Sequence, residues 1–167
     1  TKAYGADVVT YNRYTESRED IGTSLSKKYN ANLIKPYDDV RVIAGQGTVG
    51  LEISQQTAEM GIAPDAVLCC CGGGGLIAGL GVAVHAHNPE ITIWCAEPEF
   101  YDDTKRSLET GSIQRADTDK SSICDAIVTP EPGKLTFPIN RQHLSGGAVV
   151  NDDQALRAVA TLFKHLK

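Results

Sequence analysis

The stretch Ala66-Val67-Leu68-Cys69-Cys70-Cys71-Gly72-Gly73-Gly74-Gly75-Leu76 is the part of this chain that decides its fold. Its first six residues are apolar and do not alternate with polar ones, which predicts a strand buried on both faces, as in a parallel sheet covered by helices. Four glycines follow, and the apolar segment from there to about His87 predicts a helix. The stretch therefore predicts a strand, a tight loop and a helix in direct succession.

This succession has a chemical use. Glycine lets the backbone take positive φ and come close to a ligand. The helix that follows presents unpaired N–H groups and the positive end of its dipole, so the loop favours an anion such as phosphate. The alternative interpretation is a close-packed or flexible turn that binds nothing.

Two common nucleotide motifs do not match this loop. The chain contains no G-x-x-x-x-G-K-[ST] motif, which excludes a nucleoside-triphosphate P-loop. The third glycine of G-x-G-x-x-G is also missing at the required spacing, so the pattern supports dinucleotide binding only weakly.

Strand and helix patterns alternate along most of the chain, which predicts an α/β fold with a parallel twisted sheet and helices on both faces. Ser17 with Asp20, and Asn151 with Gln154, predict capped helix starts. The other predicted strands cover residues 7–11, 31–34, 91–96, 126–128 and 148–150, and the other predicted helices cover 17–29, 47 or 48 to 60, 102–110, 135–144 and the segment after 151.

Composition excludes several classes of function. The 167 residues are 41% hydrophobic and 22% charged with a formal charge of −5, which indicates a folded protein and argues against nucleic acid or anionic membrane as partners. No apolar stretch reaches membrane-spanning length, and no signal peptide is visible. The five cysteines match no zinc pattern and predict small buried side chains in a reducing compartment, hence a cytoplasmic protein. The four histidines show no ligand spacing and are expected at surfaces or helix ends.

The segment Cys71–Gly79 resembles the tetraglycine loop of the fold-type II pyridoxal-phosphate enzymes, in the branch of the threonine/serine dehydratases and serine racemases. Further segments resemble the same branch in order and spacing: Tyr4–Val8, Pro36–Asp39, Val42–Thr48, Glu97-Pro98 and Pro130–Phe137. The resemblance covers the whole chain.

The resemblance implies an incomplete tryptophan-synthase-β-like architecture. Residues 1–45 would be the C-terminal part of the small domain, and residues 46–167 the core of the large domain. It also implies pyridoxal 5′-phosphate as cofactor, with its phosphate held by Gly72, Gly73, Gly74, Gly75 and Leu76.

The activity implied is an ammonia-lyase that converts L-threonine or L-serine to a 2-oxo acid and ammonia. Serine racemase and hydroxyaspartate dehydratase use the same loop and remain alternatives. The family's Schiff-base lysine, in a Ser-x-Lys-x-Arg-Gly motif, matches nothing in this chain. We therefore expect an internal fragment that is inactive alone, and a non-catalytic cofactor- or cation-binding fragment remains a further alternative. Exposed core surface would favour a homo-oligomer or association with the missing segments.

An acidic cluster of Glu97, Glu99, Asp102 and Asp103 follows a predicted strand. These acids are interpreted either as solvated caps of a helix N-terminus or as part of a cation site. The resemblance implies a divalent cation held by Glu97, the backbone carbonyl of Tyr101, and Asp103. Such oxygen ligands suit Mg²⁺ or Ca²⁺.

Overall fold

The computed structural model describes residues 1–12 and 15–167. The chain divides into two compact units, Thr1–Ile34 and Lys35–Lys167. The second unit holds all three strands and every buried residue of the described chain, so the candidate site lies there.

The first unit is small. Its α1 helix (Arg18–Tyr29) begins as predicted, because the Ser17 hydroxyl accepts a hydrogen bond from the Asp20 amide. A short 3₁₀ helix, Lys2–Tyr4, ends at Gly5 with a left-handed φ of 80°. None of this unit's described residues is buried.

The second unit alternates helices and strands, which confirms the α/β class. Its elements in chain order are α2 (Val40–Glu59), β1 (Ala66–Cys70), α3 (Gly75–His87), β2 (Thr92–Pro98), α4 (Asp103–Thr110), α5 (Thr136–His143), β3 (Gly146–Val150) and α6 (Asp152–Leu166). The predicted cap at the start of α6 is confirmed, and Asn151 and Gln154 form a reciprocal capping box there.

The three strands form one parallel sheet in the order β1-β2-β3. Cys95 at the centre of β2 pairs with Cys69 on one side and Gly147 on the other. Strands that run parallel bring their carboxyl ends to one edge, and the loops after β1 and β2 therefore leave the sheet together.

The core lies against one face of this sheet. Ile77, Leu80 and Val84 of α3 pack with Ile93 and Cys95 of β2. The opposite face is open, and Leu68 keeps 65% of its surface exposed. The prediction that β1 is buried on both faces is therefore wrong for this chain, because Ala66, Leu68 and Cys70, which alternate along one face of the strand, are exposed.

Helices α2 and α3 pack unusually closely. A Cβ on Gly50 would lie 2.6 Å from the Leu80 carbonyl oxygen, and one on Gly79 would overlap the Ile43 carbonyl oxygen. The predicted start of α2 at residue 47 or 48 is wrong. The helix begins seven or eight residues earlier, where the Asp39 side chain accepts from the Arg41 amide. Contact with α3 stabilises this glycine-containing helix beyond its intrinsic propensity.

Three predicted strands are not strands. Residues 7–11 and 31–34 form no ladder with any other described residue. Residues 126–128 form local turns, since the Ile127 amide donates to the Cys124 carbonyl. β-Branched composition favours extended backbone, but a strand also needs a neighbour. Among the residues that the structure describes, no helix combines the length and apolarity required to cross a membrane.

Candidate phosphate- and cofactor-binding site

The glycine loop lies where β1 ends and α3 begins. The Cys71 amide donates to the Ala96 carbonyl at 2.9 Å and extends the β1–β2 ladder by one residue. Gly74 then takes a left-handed φ of 86° and caps α3, which starts at Gly75. A Cβ on Gly74 would lie 2.5 Å from the Asn140 side-chain nitrogen, so both conformation and space require glycine.

The loop leaves a row of backbone donors without partners. None of the N–H groups of residues 72–77 donates a hydrogen bond to any other described residue. Gly73, Gly74 and Gly75 are buried or half-buried together with Gly72 and Leu76. Buried N–H groups are almost always paired in proteins, so this row, here called the cradle, fits an acceptor that comes from outside the loop.

The walls of the cradle explain the other glycines. A Cβ on Gly73 would overlap the ring of Tyr37, and one on Gly75 would lie 2.8 Å from the Tyr37 Cα. A Cβ on Gly72 would lie 3.1 Å from the Ile127 Cα. The four consecutive glycines therefore allow close approach of neighbouring backbone, besides exposing their own N–H groups to a ligand.

Helix α5 holds the loop from one side, which sequence reasoning missed. The Thr136 hydroxyl donates to the Gly73 carbonyl at 2.6 Å, and the Asn140 amide donates to the Gly74 carbonyl at 3.3 Å. The Gly133 amide adds a second bond, 3.2 Å long, to the Gly73 carbonyl. Thr136 and Asn140 are both fully buried. Their i, i+4 spacing on a predicted helix was the available signal, since it places two polar side chains on one face.

The four acids of the acidic cluster differ in burial. Glu97 and Asp103 are each 1% exposed, whereas Glu99 is exposed and Asp102 pairs with Arg106 at 2.9 Å. The Glu97 carboxylate accepts from the backbone amides of Thr104 and Lys105, at 2.9 and 2.8 Å. It therefore caps the first turn of α4 from the end of β2.

Asp103 is the polar residue of this region that the fold leaves least satisfied. Its Oδ2 atom is buried and has no hydrogen-bond partner among the described residues. Burial raises the pKa of Asp103 to about 8, and the nearby Glu97 carboxylate adds to the rise. Burial likewise raises the pKa of Glu97. An orphaned buried carboxylate oxygen fits a cation at this point.

The third predicted cation ligand, Tyr101, is buried next to these acids, and its hydroxyl donates to the Lys120 carbonyl at 2.8 Å. Within residues 1–12 and 15–167, no three His, Cys, Asp or Glu side chains converge to hold a metal ion. A cation here would therefore depend on two carboxylates, a backbone carbonyl and water.

The prediction that the cysteines are small buried side chains is wrong for Cys70, which lies on the exposed face of β1. Cys71 and Cys95 are buried, Cys69 and Cys124 are half-buried, and Cys70 is exposed. Burial raises the pKa of Cys69 and of Cys95 to about 12 and that of Cys71 well above its ordinary value. These three thiols are protonated near neutral pH and contribute as small apolar side chains.

Two histidines meet across helices. His85 of α3 and His143 of α5 bring their Nδ1 atoms to 2.9 Å, and the His85 Nε2 lies 2.8 Å from the Ile91 carbonyl oxygen. Spacing along the chain could not reveal this pair, because the two residues lie in different helices.

A parallel α/β unit with a glycine loop of unpaired backbone amides at a strand's carboxyl end has the geometry typical of anion-binding α/β domains. The chain belongs to the family described as pyridoxal-phosphate dependent enzyme, whose model matches residues 1–167.

Several curated proteins and solved structures are similar to this chain. The L-threo-3-hydroxyaspartate ammonia-lyase of Pseudomonas sp. is 36% identical over 167 residues, which are 100% of this chain and 51% of the relative. Serine racemase of Dictyostelium discoideum is 36% identical over 165 residues, which are 98% of this chain and 49% of the relative. The crystal structure of a threonine deaminase from T.th. matches with a TM-score of 0.91 and 43% identity, covering 97% of this chain and 53% of that one. The chain thus spans about half the length of the curated relatives it matches, and the fold-type II architecture is confirmed.

Proposed function

We propose that this chain carries the phosphate-binding half of a pyridoxal-phosphate-dependent ammonia-lyase acting on L-threonine or L-serine. The observation that carries the proposal is the row of unpaired, largely buried N–H groups at residues 72–77. Family membership supports pyridoxal phosphate as the group that supplies the acceptor.

The residues of the loop have separate tasks in this proposal. The N–H groups of Gly72, Gly73, Gly74, Gly75 and Leu76 bind the cofactor's phosphate, and the N-terminus of α3 adds its positive dipole end. Leu76 contributes through its backbone. Pyridoxal phosphate, when bound, supplies an electron sink for bond cleavage at the amino acid's Cα. The loop itself binds and orients, and it holds no proton-transferring side chain.

Binding is tested on this chain with pyridoxal phosphate and with pyridoxal, which lacks the phosphate. We expect calorimetry to detect the phosphorylated compound at concentrations where pyridoxal shows no binding, because the free amides need an anionic acceptor. Equal binding of the two compounds would contradict a phosphate cradle.

Activity is tested on the whole protein. We expect release of a 2-oxo acid from L-threonine and L-serine. L-threo-3-hydroxyaspartate should be assayed in parallel, and chiral chromatography should follow conversion of L-serine to D-serine. Faster turnover of hydroxyaspartate would favour a hydroxyaspartate dehydratase, and net racemisation would favour a serine racemase. A relative of each kind is 36% identical to this chain, which supports both alternatives. The chain alone should release no 2-oxo acid, because its lysines match no cofactor-binding motif of the family. Release of a 2-oxo acid by the chain alone would contradict the expectation that it is inactive by itself.

A divalent cation, Mg²⁺ or Ca²⁺, is proposed at Glu97, the Tyr101 carbonyl and Asp103. The orphaned Asp103 oxygen supports it. Millimolar Ca²⁺ should raise the melting temperature of the chain, and Asp103→Asn should remove that rise. Glu99→Gln, which changes an exposed acid nearby, should keep it. A rise that persists in Asp103→Asn would place the cation elsewhere.

The remaining proposals concern the whole protein. Residues 1–45 are proposed as part of its small domain and residues 46–167 as part of its large domain. Its location is proposed to be cytoplasmic.

Association with a second copy or with the rest of the protein is supported by the open sheet face at Leu68 and Trp94 and by the exposed apolar side of α6. Light scattering of the chain should give a mass above 17.9 kDa. A strictly monomeric mass at every concentration tested would contradict self-association.

A further inference from the structure

We propose that Thr136 and Asn140 of α5 are positioning residues, which turn the peptide planes of the glycine loop so that its N–H groups face the phosphate. This inference rests on the proposed phosphate site. Neither residue is one of the loop's own phosphate donors, and each acts through the backbone of the loop.

The starting observation is the direction of two carbonyl groups. The Gly73 carbonyl is bound by the Thr136 hydroxyl at 2.6 Å, and the Gly74 carbonyl by the Asn140 amide at 3.3 Å. The Gly74 carbonyl also accepts from the Ala78 amide of α3 at 3.0 Å, so Asn140 reinforces a direction that α3 shares, whereas the Gly73 carbonyl is directed toward Thr136 and Gly133. Both carbonyls contact α5 on the same side of the loop.

The direction of each carbonyl fixes the direction of the next residue's N–H group, because the peptide bond is planar. In a trans peptide the C=O of one residue and the N–H of the next point in opposite directions. The described chain contains no cis peptide. The N–H groups of Gly74 and Gly75 consequently point away from α5, and neither has a partner within the described residues. The anion is expected on that side of the loop.

Glycine is the residue for which such orientation matters most, because its backbone can rotate through conformations closed to other residues. Four consecutive glycines have no side chains to hold their peptide planes. Polar contacts from outside can do so, and here the two side chains that make them are fully buried. Because the loop is oriented before the phosphate binds, less conformational entropy is lost on binding.

A second set of contacts holds α5 itself. The Asp38 carboxylate accepts from the Leu135 amide at 2.7 Å, at the N-terminal end of the helix. At its other end, His143 contacts His85 of α3. Helix α5 is thereby attached at both ends, so Thr136 and Asn140 are presented to the loop from a supported element.

The test uses ¹⁵N-labelled chain titrated with inorganic phosphate, with the amide signals of Gly74 and Gly75 as the readout. Thr136→Val keeps the shape of the side chain and removes the hydroxyl. We expect it to weaken phosphate binding by about fivefold or more, the effect of one hydrogen bond, and Thr136→Ser to restore most of it. Ser107→Ala is the matched control, because it deletes an equally buried hydroxyl that donates to the Asp103 carbonyl and accepts from the Gln114 amide, with no hydrogen bond to the glycine loop. It should leave the affinity unchanged.

The outcomes separate the two proposals. If phosphate moves no amide signal of residues 72–77 in the unsubstituted chain, the phosphate site is wrong and this inference falls with it. If the unsubstituted chain binds and Thr136→Val binds equally well, the positioning role alone is overturned. Equal weakening by Thr136→Val and Ser107→Ala would also overturn it, since general destabilisation would then explain both.

A structure with bound phosphate tests the same point without any substitution, should Thr136→Val fail to fold. The anion is expected within hydrogen-bond distance of the Gly74 and Gly75 amides, on the side of the loop opposite α5. An anion that instead contacts the Thr136 hydroxyl or the Asn140 amide would make these residues direct ligands and overturn the positioning role.

Discussion

The Nδ1 atoms of His85 and His143 lie 2.9 Å apart and join α3 to α5. The His85 Nε2 lies 2.8 Å from the Ile91 carbonyl oxygen, so it carries the proton that this carbonyl accepts. In a neutral pair, His85 Nδ1 then accepts from His143 Nδ1. A neutral pair with these tautomers therefore satisfies both Nδ1 atoms and the Ile91 carbonyl.

A pH dependence of stability follows from this pair. Burial, and then the neighbouring His85, lower the pKa of His143 below its ordinary value of 6.5. Because the folded pKa lies below the unfolded one, the contribution is complete above the ordinary value and is lost as pH falls through the folded value. Urea unfolding between about pH 7.5 and about pH 5.5 should therefore show decreasing stability, with a smaller slope in His143→Gln. His165→Gln, which changes an exposed histidine of α6, should keep the original slope. An unchanged slope in His143→Gln would contradict the assignment.

The glycine at position 73 is required by its neighbour. Gly73→Ala would push a methyl group into the Tyr37 ring. We expect a loss of ~1–3 kcal/mol in the free energy of unfolding, typical of overpacking, and weaker binding of pyridoxal phosphate. Gly45→Ala is the control, because a Cβ there meets nothing within 4 Å in the first half of α2. It should stabilise the chain by ~0.5–1 kcal/mol through helix propensity. Denaturation of both variants checks this, and a Gly73→Ala protein as stable as the original would be inconsistent with the tight contact.

Glu97 is expected to stabilise α4 whether or not a cation binds. Glu97→Gln replaces one of two acceptor oxygens by an amide that faces a backbone N–H of Thr104 or Lys105. The free energy of unfolding should fall by ~1–3 kcal/mol, measured in urea with EDTA present to remove metal. Glu109→Gln breaks an exposed ion pair with Lys105 and should change stability by less than ~0.5 kcal/mol. Similar effects of the two substitutions would contradict the capping role of Glu97.

The thiols should react in an order set by exposure and pKa. Cys70 is exposed, whereas Cys71 is buried and its pKa lies well above the ordinary value. At about pH 8, iodoacetamide should modify Cys70 first and leave Cys71 unmodified until denaturant is added, because only an accessible thiolate reacts. Peptide mass spectrometry identifies the modified residues. Rapid labelling of Cys71 in the folded chain would show that the region under the glycine loop opens readily.

Local patterns predicted the elements whose cause is local. Four glycines between an apolar strand and an apolar helix indicated the loop, and Asn151 with Gln154 indicated the start of α6. These features involve residues within a few positions of each other, so adjacent sequence contains most of the relevant physics. The same holds for the Ser17 cap of α1.

Local patterns failed where a partner decides the structure. Residues 7–11 and 31–34 have the composition of strands, yet they form no ladder with the described chain. Helix α2 begins at Val40, before the predicted start, because packing of Gly50 against Leu80 stabilises a segment whose glycines disfavour a helix. For the two predicted strands the partner is missing, and for α2 the partner is present. In both cases this contact between residues distant in sequence outweighs the secondary-structure preference of the local residues.

The sequence by itself determined that a glycine loop with exposed backbone donors follows β1, since the first N–H groups of a helix lack intrahelical partners wherever the helix lies. Only the tertiary structure decided how those donors are aimed. The Gly73 carbonyl accepts from Thr136, which lies 63 positions further along the chain. The Gly74 carbonyl accepts from Asn140, 66 positions further along, in addition to its local bond from the Ala78 amide. The physical reason is that glycine has no side chain to restrict its peptide plane, and the orientation of the loop must therefore come from residues that only folding brings beside it.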